Sequence, residues 1–135
     1  MAADMAIVCD ASVLAAMAFG DRDSDLARAL TTSRRLYAPS LLRYELAQVA
    51  LRRSGTAGDP SRVEKAFRSS LRVPVKLIQP AWPAVLDLAR NSGLSAYDAS
   101  YLQIAQALSI PLATLDKKLA GAAEALGLKA RPRAD

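Results

Sequence analysis

The sequence predicts an α/β domain in which a short parallel sheet is covered by helices on both faces. Short apolar runs of strand type alternate along the chain with segments of helical period, which is the pattern of βαβ units. The 135 residues suffice for one domain with a substantial core. Because 52% of them are apolar but only 5% aromatic, we expect this core to consist mainly of Ala, Leu and Val. We place the domain at residues 1–130 and a flexible C-terminal tail at 131–135.

Five short apolar runs are the predicted strands, and seven segments of helical period are the predicted helices. The strands are residues 6–9, 36–38, 75–78, 112–115 and 128–130. The helices are residues 13–19, 25–32, 41–54, 60–70, 82–92, 96–109 and 117–126. Neither an internal repeat nor an interdomain linker interrupts this alternation.

Capping residues and helix-breaking residues mark the boundaries of these helices. A residue that favours the start of a helix precedes six of them: Asp10, Ser24, Ser40, Asp59, Ser95 and Asp116. Glycine closes four of them, at Gly20, Gly55, Gly93 and Gly127. Pro60 stands in the first turn of its helix, where a missing N–H costs nothing, and Pro111 ends the sixth helix.

The sequence contains no histidine, and this limits the chemistry available to the protein. Neither a Ser-His-Asp or Cys-His site nor an imidazole metal site can form, so catalysis must use carboxylates, hydroxyls, Lys, Arg or a bound ion. The one cysteine, Cys9, excludes an internal disulfide and a Cys-rich zinc site, which suits a reducing cytoplasm. No apolar run approaches the ~20 residues that span a bilayer. The apolar N-terminus lacks the basic residues of a secretory signal. We therefore expect a cytoplasmic protein without a membrane segment.

The formal charge of +5 is unevenly distributed along the chain. Residues 34–76 carry ten basic and three acidic groups, whereas residues 1–33 carry two basic and five acidic groups. A basic middle third is compatible with a phosphate-rich partner, and Arg43, Arg52 and Arg53 are candidates for contacting phosphates. It is equally compatible with solvated helix faces in an Ala- and Arg-rich protein, and charge alone leaves both explanations open.

The predicted helix 96–109 carries a carboxylate at the edge of its apolar face. Ser95 is a good N-cap residue, and Asp98 follows three positions later. At ~100° per residue, the face toward the core contains Tyr97, Tyr101, Ile104, Ala105 and Leu108. A carboxylate beside such a face is costly unless it caps the helix, pairs with a cation or binds a metal. A Ser-x-x-Asp capping box is a sufficient explanation for Asp98 taken alone.

Three further acids occupy positions that suggest a ligand site. Asp10 and Asp116 each follow a predicted strand directly, and parallel sheets bind ligands in the crevice beyond the carboxyl ends of their strands. Each of the two is also explained as a plain N-cap. Glu45 lies inside the helix 41–54, and apolar residues one turn away on both sides place its carboxylate within an apolar stripe. This is an unusual position for a surface glutamate.

Four carboxylates gathered in one place raise one another's pKa values and destabilise the fold unless a cation neutralises them. Oxygen donors alone point to Mg²⁺ or Mn²⁺, with water in the remaining positions. Such ions activate water and stabilise a phosphate during in-line displacement. The sequence therefore predicts a metal site formed by Asp10, Glu45, Asp98 and Asp116. The other acids are assigned to turns, caps, exposed helix faces or, for Glu64, a pair with Arg68: Asp21, Asp23, Asp25, Glu64, Asp87 and Glu124.

Four blocks of this sequence resemble the PIN-domain family, and more narrowly the VapC-type toxins of bacterial toxin–antitoxin pairs. They are IVCDAS at 7–12, YELA at 44–47, AYDASY at 96–101 and LATLDKKL at 112–119, in the family's order and over nearly the whole chain. The resemblance implies a compact α/β/α fold and an endoribonuclease that depends on Mg²⁺ or Mn²⁺. It also implies a homodimer and a cognate antitoxin whose C-terminal segment wraps the toxin and obstructs the site.

Carried over position by position, the resemblance assigns the quartet of acids to Asp10, Glu45, Asp98 and Asp116. Thr114 matches the hydroxyl residue that orients a water or the last acid, and Ser12 is a weaker candidate near the first acid. Our hypothesis is that Asp10, Asp98 and Asp116 hold the ion directly or through water and that Glu45 completes the cluster. The resulting hypothesis is hydrolysis of a phosphodiester bond in structured RNA, tRNA or ribosomal RNA, by metal-activated water.

Two other classes of protein stay open as alternatives. A phosphoacceptor domain of receiver type also places acids at strand ends. It needs a pair of adjacent acids after the first strand, however, where this chain has Cys9 before Asp10. A non-catalytic binding module would use the acids only as caps and in ion pairs, and the position of Glu45 argues against this.

Overall fold

The computed structural model describes residues 5–55 and 59–132, and within these ranges it contains five strands and seven helices. In chain order they are β1 (Ala6–Cys9), α1 (Ala11–Phe19), α2 (Ser24–Thr31), β2 (Arg35–Pro39), α3 (Leu41–Ser54), α4 (Pro60–Leu71), β3 (Val75–Ile78), α5 (Trp82–Ser92), α6 (Ala96–Leu108), β4 (Leu112–Ala113), α7 (Lys117–Ala125) and β5 (Ala130–Arg131). None of these helices is long and apolar enough to cross a bilayer.

All five strands are parallel and lie in the order β3-β2-β1-β4-β5. The chain winds from β1 outward to β3, returns through α5 and α6, and adds β4 and β5 on the other side of β1. Helices α1 to α4 pack among themselves, as do α5 to α7. Because parallel crossovers are right-handed, the two groups cover opposite faces of the sheet. The predicted three-layer α/β/α architecture is confirmed.

The core lies on both faces of β1, whose four residues are all buried. Its side chains are mainly Ala, Leu, Val and Ile, as the composition predicted, and Tyr101 is the aromatic side chain fully buried among the described residues. In α6 the seven consecutive residues 99–105 are buried, because this helix packs against the sheet, α5 and α7. The predicted core face of α6 is therefore wrong at its ends, where Tyr97 is 66% and Leu108 42% exposed.

Several predicted boundaries are corrected: α1 begins at Ala11 instead of 13, and β2 comprises Arg35–Pro39 instead of 36–38. Two others are the end of β4 and the start of α2. Strand β4 ends at Ala113, because the Thr114 hydroxyl accepts the Asp116 N–H at 3.0 Å and turns the chain. Helix α2 begins at Ser24 itself, with Asp23 in the N-cap position.

At the end of α7, Gly127 takes a φ of +79°, which glycine adopts without strain. The Leu128 N–H then bonds to the carbonyl of Ala123 and closes the helix. Residue 128 therefore belongs to the helix cap, and β5 comprises 130 and 131 instead of the predicted 128–130. Arg131, predicted to open the tail, pairs with Ala113 in the sheet. Residues 133–135 of the predicted tail lie outside the described residues.

Candidate active site

The four predicted acids line one cavity at the carboxyl edge of the sheet. The winding direction reverses between β1 and β4, and doubly wound sheets bind ligands in the crevice at such a reversal. A cavity of about 270 Å³ lies there, and its wall includes Asp10, Glu45, Asp98 and Asp116. These residues come from the end of β1, from α3, from the first turn of α6 and from the loop after β4. The fold thus brings together carboxylates that are far apart in the sequence.

Asp10 is the most buried of the four, at 6% exposure. Its Oδ1 caps α1 by accepting hydrogen bonds from the backbone N–H groups of Ser12 at 2.9 Å and Val13 at 3.4 Å. Oδ1 also accepts from the Ser12 hydroxyl, and Oδ2 accepts from the Thr114 hydroxyl at 2.6 Å. The N-cap role and the position in the ligand crevice, which the sequence left as alternatives, therefore coexist in one side chain.

Two hydroxyl groups tie Asp10 to the loop that follows β4. While donating to Asp10, the Ser12 hydroxyl accepts the Leu115 N–H at 2.9 Å. The Thr114 hydroxyl likewise accepts the Asp116 N–H at 3.0 Å. Each hydroxyl has one proton, so both protons are committed to Asp10. Thr114, expected to orient a water or the last acid, thus holds the carboxylate of the first acid and the backbone of the last.

Asp116 and Asp98 both lie at helix N-termini. Oδ1 of Asp116 caps α7 by accepting from the N–H groups of Lys118 at 2.9 Å and Leu119 at 3.3 Å. Asp98 donates its own N–H to the Ser95 hydroxyl oxygen at 3.1 Å, which is the half of the predicted capping box that Ser95 supplies. Burial and the charge of Asp116 raise the pKa of Asp98, and the ammonium charge of Lys118 partly offsets this rise. Lys118, whose ammonium group donates to the Gly93 carbonyl at 2.8 Å, is a charged neighbour of the site that the sequence did not single out.

Glu45 reaches the cavity from α3. Of the predicted apolar stripe around it, Leu42 is fully buried, whereas Leu41 and Val49 are half-buried. Its Oε1 accepts a hydrogen bond from the Tyr101 hydroxyl at 2.6 Å. Tyr101 was expected only to face the core, and Gln48, which also lines the cavity, was not considered. Because 56 residues separate Glu45 from Tyr101, no local pattern in the sequence could reveal their bond.

Burial and mutual repulsion raise the pKa values of three of these carboxyl groups. Burial raises the pKa of Asp10 to about 6, and its four hydrogen bonds only partly offset this. The pKa of Glu45 is raised by burial and by the charges of Asp10 and Asp98, against the lowering effect of the Tyr101 bond. Burial, and then the charge of Asp116, raise the pKa of Asp98. The cavity is therefore a place of uncompensated negative charge, which is typical of functional sites.

The donor chemistry of this cavity fits Mg²⁺ or Mn²⁺, which prefer carboxylate and water oxygens. Across residues 5–55 and 59–132, no three acidic or cysteine side chains lie close enough together to form a finished ligand set for one ion. Mg²⁺ commonly keeps several waters and uses one or two carboxylates, so a partly open set of this kind suits it. The assignment of direct metal ligands among the four acids stays a prediction.

Of the three arginines expected to contact phosphates, only Arg52 lines the cavity. Arg53 pairs with Asp21 at 2.8 Å, and its guanidinium lies 4.8 Å from the centre of the Phe19 ring. Asp21, assigned to solvent or to a cap, is thus an ion-pair partner. Arg43 donates to a backbone carbonyl of α4 at 3.4 Å. The predicted pair between Glu64 and Arg68 is present at 3.0 Å on the surface of α4.

A larger cleft of about 740 Å³ lies at the opposite, amino-terminal edge of the sheet. Among the described residues, its wall includes Arg34, Lys129 and Arg131 and no carboxylate. The C-terminal ends of α6 and α7 also border this cleft, and basic side chains are favourable beside the partial negative charge of helix C-termini. These cations therefore have a structural explanation, and the smaller acidic cavity is the candidate active site.

The chain is similar to known proteins over most of its length. Residues 7–125 match the PIN domain. The chain is 34% identical over 126 residues to VapC ribonuclease Mb0985 of Mycobacterium bovis, and to the same extent to ribonuclease VapC9 of Mycobacterium tuberculosis. Each of these alignments covers 88% of this chain and 92% of the relative.

Two solved structures share the fold. PAE2754 of Pyrobaculum aerophilum superimposes with a TM-score of 0.71 at 26% identity, over 93% of this chain and 92% of that one. VapC20 of Mycobacterium tuberculosis, a toxin that cleaves the sarcin–ricin loop, superimposes with a TM-score of 0.65 over 86% of this chain and 94% of that one. At 18% identity, the likeness to VapC20 concerns the fold alone.

Proposed function

This chain belongs to the PIN-domain family, in its VapC-type branch, and from that membership we propose that it is the toxin of a toxin–antitoxin pair and a metal-dependent endoribonuclease. The substrate class is structured RNA, tRNA or ribosomal RNA. The charge of residues 34–76, ten basic against three acidic groups, supports a polyanionic substrate. Residues 1–130 are the unit that carries this activity.

The observation that carries the proposal is the convergence of four carboxylates in one cavity. Glu45 is the decisive member, because it lies in the middle of a helix and has no cap to form. A binding module that used its acids as caps and in ion pairs would have no reason to place a half-buried glutamate beside Asp10 and Asp98. A receiver-type phosphoacceptor does not account for Glu45 either.

In the proposed mechanism, Asp10, Asp98 and Asp116 hold Mg²⁺ or Mn²⁺ directly or through water, and Glu45 completes the cluster. A divalent ion bound there supplies charge neutralisation for the phosphate and a lowered pKa for the attacking water. The hydroxyl groups of Ser12 and Thr114 keep the Asp10 carboxylate in one orientation, because each donates its only proton to it. Water is the nucleophile: it adds to phosphorus and one P–O bond to a sugar breaks. One product therefore ends in a phosphate monoester and the other in a hydroxyl, and no 2′,3′-cyclic phosphate forms.

The test is cleavage of purified tRNA and ribosomal RNA by the purified protein, in Mg²⁺ and in EDTA. We expect cleavage in Mg²⁺ or Mn²⁺ only, with a rate about 100-fold lower for Asp98→Asn, since one charge of the cluster is lost. Asp87→Asn, which removes an exposed carboxylate from α5, is the matched control and should cut like the parent protein. Full activity in EDTA or of Asp98→Asn would remove the mechanism, and a protein that neither cleaves RNA nor binds Mn²⁺ would favour the binding module.

Arg52 is the proposed contact for a phosphate beside the cleaved bond. It lines the acidic cavity and also a neighbouring cavity of about 470 Å³, so it borders both. We expect Arg52→Ala to raise KM about 10-fold with kcat nearly unchanged, and to reduce the salt dependence of RNA binding by about one counterion. Arg62→Ala, an exposed arginine of α4, is the control. Equal effects of the two substitutions would show that Arg52 contributes only general charge.

The proposal includes the partners of such a toxin, a cognate antitoxin and a second copy of the chain. Large apolar side chains on the outer helix faces support a protein partner, since Trp82 and Leu86 lie one turn apart on α5 and are 54% and 50% exposed. The cytoplasm is the proposed location, supported by the buried free thiol of Cys9.

A further inference from the structure

Tyr101 is the one aromatic side chain in the wall of the acidic cavity, among the residues that the structure describes there. It is 1% exposed and lies in the stretch of α6 whose residues are all buried. A phenylalanine would fill this apolar environment equally well. The hydroxyl is therefore the feature that needs an explanation, and the Oε1 atom of Glu45, 2.6 Å away, is its partner.

The acids at the two strand ends are held in place by hydrogen bonds to their carboxylates. Asp10 accepts from two N–H groups and two hydroxyls, and Asp116 accepts from two N–H groups. Glu45 has a longer side chain with one more rotatable bond and lies where a helix offers no free N–H. The Tyr101 hydroxyl is the donor that holds it.

The bond also joins the two faces of the sheet. Glu45 belongs to α3, which covers one face, and Tyr101 belongs to α6, which covers the other and also carries Asp98. Since Tyr101 lies three residues after Asp98, its hydroxyl sets the position of Glu45 relative to the same helix that presents Asp98. The buried Tyr101 thus holds the glutamate at a site where the charges of Asp10 and Asp98 repel it.

We propose that Tyr101 is a positioning residue that fixes one oxygen of Glu45 and leaves the other oxygen to face the reacting water or ion. This inference rests on the proposed nuclease function. It assigns to Tyr101 no contact with the substrate and no proton transfer of its own. Its effect on the reaction passes entirely through Glu45.

The experiment is a double-mutant cycle with Tyr101→Phe and Glu45→Gln, each singly and together. We expect Tyr101→Phe to lower kcat by roughly 10- to 100-fold with KM nearly unchanged, as for other groups that orient a ligand or base. In the Glu45→Gln background the same substitution should have no further effect, because the carboxylate that it positions is already gone. Tyr97→Phe removes an exposed hydroxyl from the same helix and should leave kcat unchanged.

Two results would overturn the proposal. One is a kcat of Tyr101→Phe within twofold of the parent protein. The other is an equal loss of kcat in the presence and absence of the Glu45 carboxylate, which would mean that the hydroxyl acts through the general packing of α6. The unfolding midpoints of the parent protein, the two single variants and the double variant are measured in EDTA. These measurements exclude partial unfolding as the cause of a lower kcat.

A binding measurement keeps this inference separate from the proposed function. Mn²⁺ titration by calorimetry should show weaker binding, by several-fold, for Tyr101→Phe and no additional weakening in the double variant relative to Glu45→Gln. If the parent protein binds Mn²⁺ with this coupling but cuts no RNA, the nuclease proposal fails and the positioning role of Tyr101 stands. If the protein cuts RNA and the two substitutions act additively on kcat and on Mn²⁺ binding, the positioning role fails.

Discussion

Replacing Asp10 by asparagine is expected to abolish RNA cleavage while stabilising the metal-free protein at neutral pH. Asp10 is the deepest of the four acids and the one that two hydroxyl groups hold in a single orientation. Loss of its charge removes several kcal/mol of interaction with the bound cation, and each 1.36 kcal/mol corresponds to a tenfold change in rate. The expected fall in kcat is on the order of 1,000-fold or more.

The substitution lowers activity but raises stability, because the ionised carboxylate of Asp10 is costly to bury. Its pKa of about 6, against an ordinary 3.8, means that ionised Asp10 destabilises the fold by about 3 kcal/mol at neutral pH. Asparagine keeps an oxygen to accept the N–H groups that cap α1, but it turns an N–H₂ group toward the Thr114 hydroxyl. The Thr114 hydroxyl must then reorient, which reduces the stabilisation. We therefore expect a net increase of about 1–3 kcal/mol in the free energy of unfolding.

Asp59→Asn is the matched control for this substitution. Asp59 also caps a helix, accepting from the N–H of Ser61 at 3.0 Å, but it is exposed and lies outside the acidic cavity. Its replacement should change neither cleavage nor the free energy of unfolding by more than about 0.5 kcal/mol. Urea unfolding in EDTA at pH 7.5 measures the stabilities, and a destabilised Asp10→Asn variant would contradict the account of burial given above.

The stability of the metal-free protein should fall as the pH rises from about 4 to 7. The folded state keeps the proton of Asp10 up to about pH 6, whereas the unfolded chain loses it near 3.8. The contribution of this group to stability is therefore complete below about pH 4 and is lost as the pH rises through about 6, for a total of about 3 kcal/mol. The raised pKa values of Glu45 and Asp98 act in the same direction.

The measurement compares the free energies of unfolding of the parent protein and Asp10→Asn at several pH values in EDTA. Carboxylates away from the cavity and the net positive charge contribute equally to both proteins, so the difference reports Asp10 together with its effect on the pKa of Glu45. We expect the advantage of the variant at pH 7.5 to shrink as the pH falls toward 4. Mg²⁺ should stabilise the parent protein at pH 7.5 more than at pH 5, because it competes with the proton for the same carboxylates. A difference that does not change with pH would show that Asp10 titrates normally.

Much of the fold follows from local features of the sequence. The alternation of apolar strands with helical segments predicts an α/β domain, and helix-capping residues such as Asp59, Ser95 and Asp116 place the helix starts within a residue or two. The predictions from the sequence are wrong where tertiary packing overrides the local preference of a residue. Tyr97, for example, has an apolar ring on the predicted core face of α6. It is exposed because it lies in the first turn, before the buried part of the helix begins at residue 99.

The candidate site was likewise predicted in part from local features of the sequence, whereas its long-range contacts were not. Position alone made Asp10, Asp116 and Glu45 conspicuous, because strand ends and apolar helix stripes are recognisable along the chain. The same reasoning missed the bond of Tyr101 to Glu45 and the charge effect of Lys118 on Asp98, and it assigned Arg53 to phosphate binding. Arg53 instead pairs with Asp21, 32 residues away. Such pairs carry no periodic signal in the sequence.

The sequence by itself determined which residues could form the site, because cap preference, hydrophobic period and donor chemistry are properties of a residue and its close neighbours in the chain. The tertiary structure decided which of these residues meet and what holds them. The strand order puts β1 beside β4, and only then do the Thr114 hydroxyl and Asp10, 104 residues apart, form a bond of 2.6 Å. The raised pKa of Asp10 is decided at the same level, because its main cause is burial, and burial depends on the packing of the whole chain.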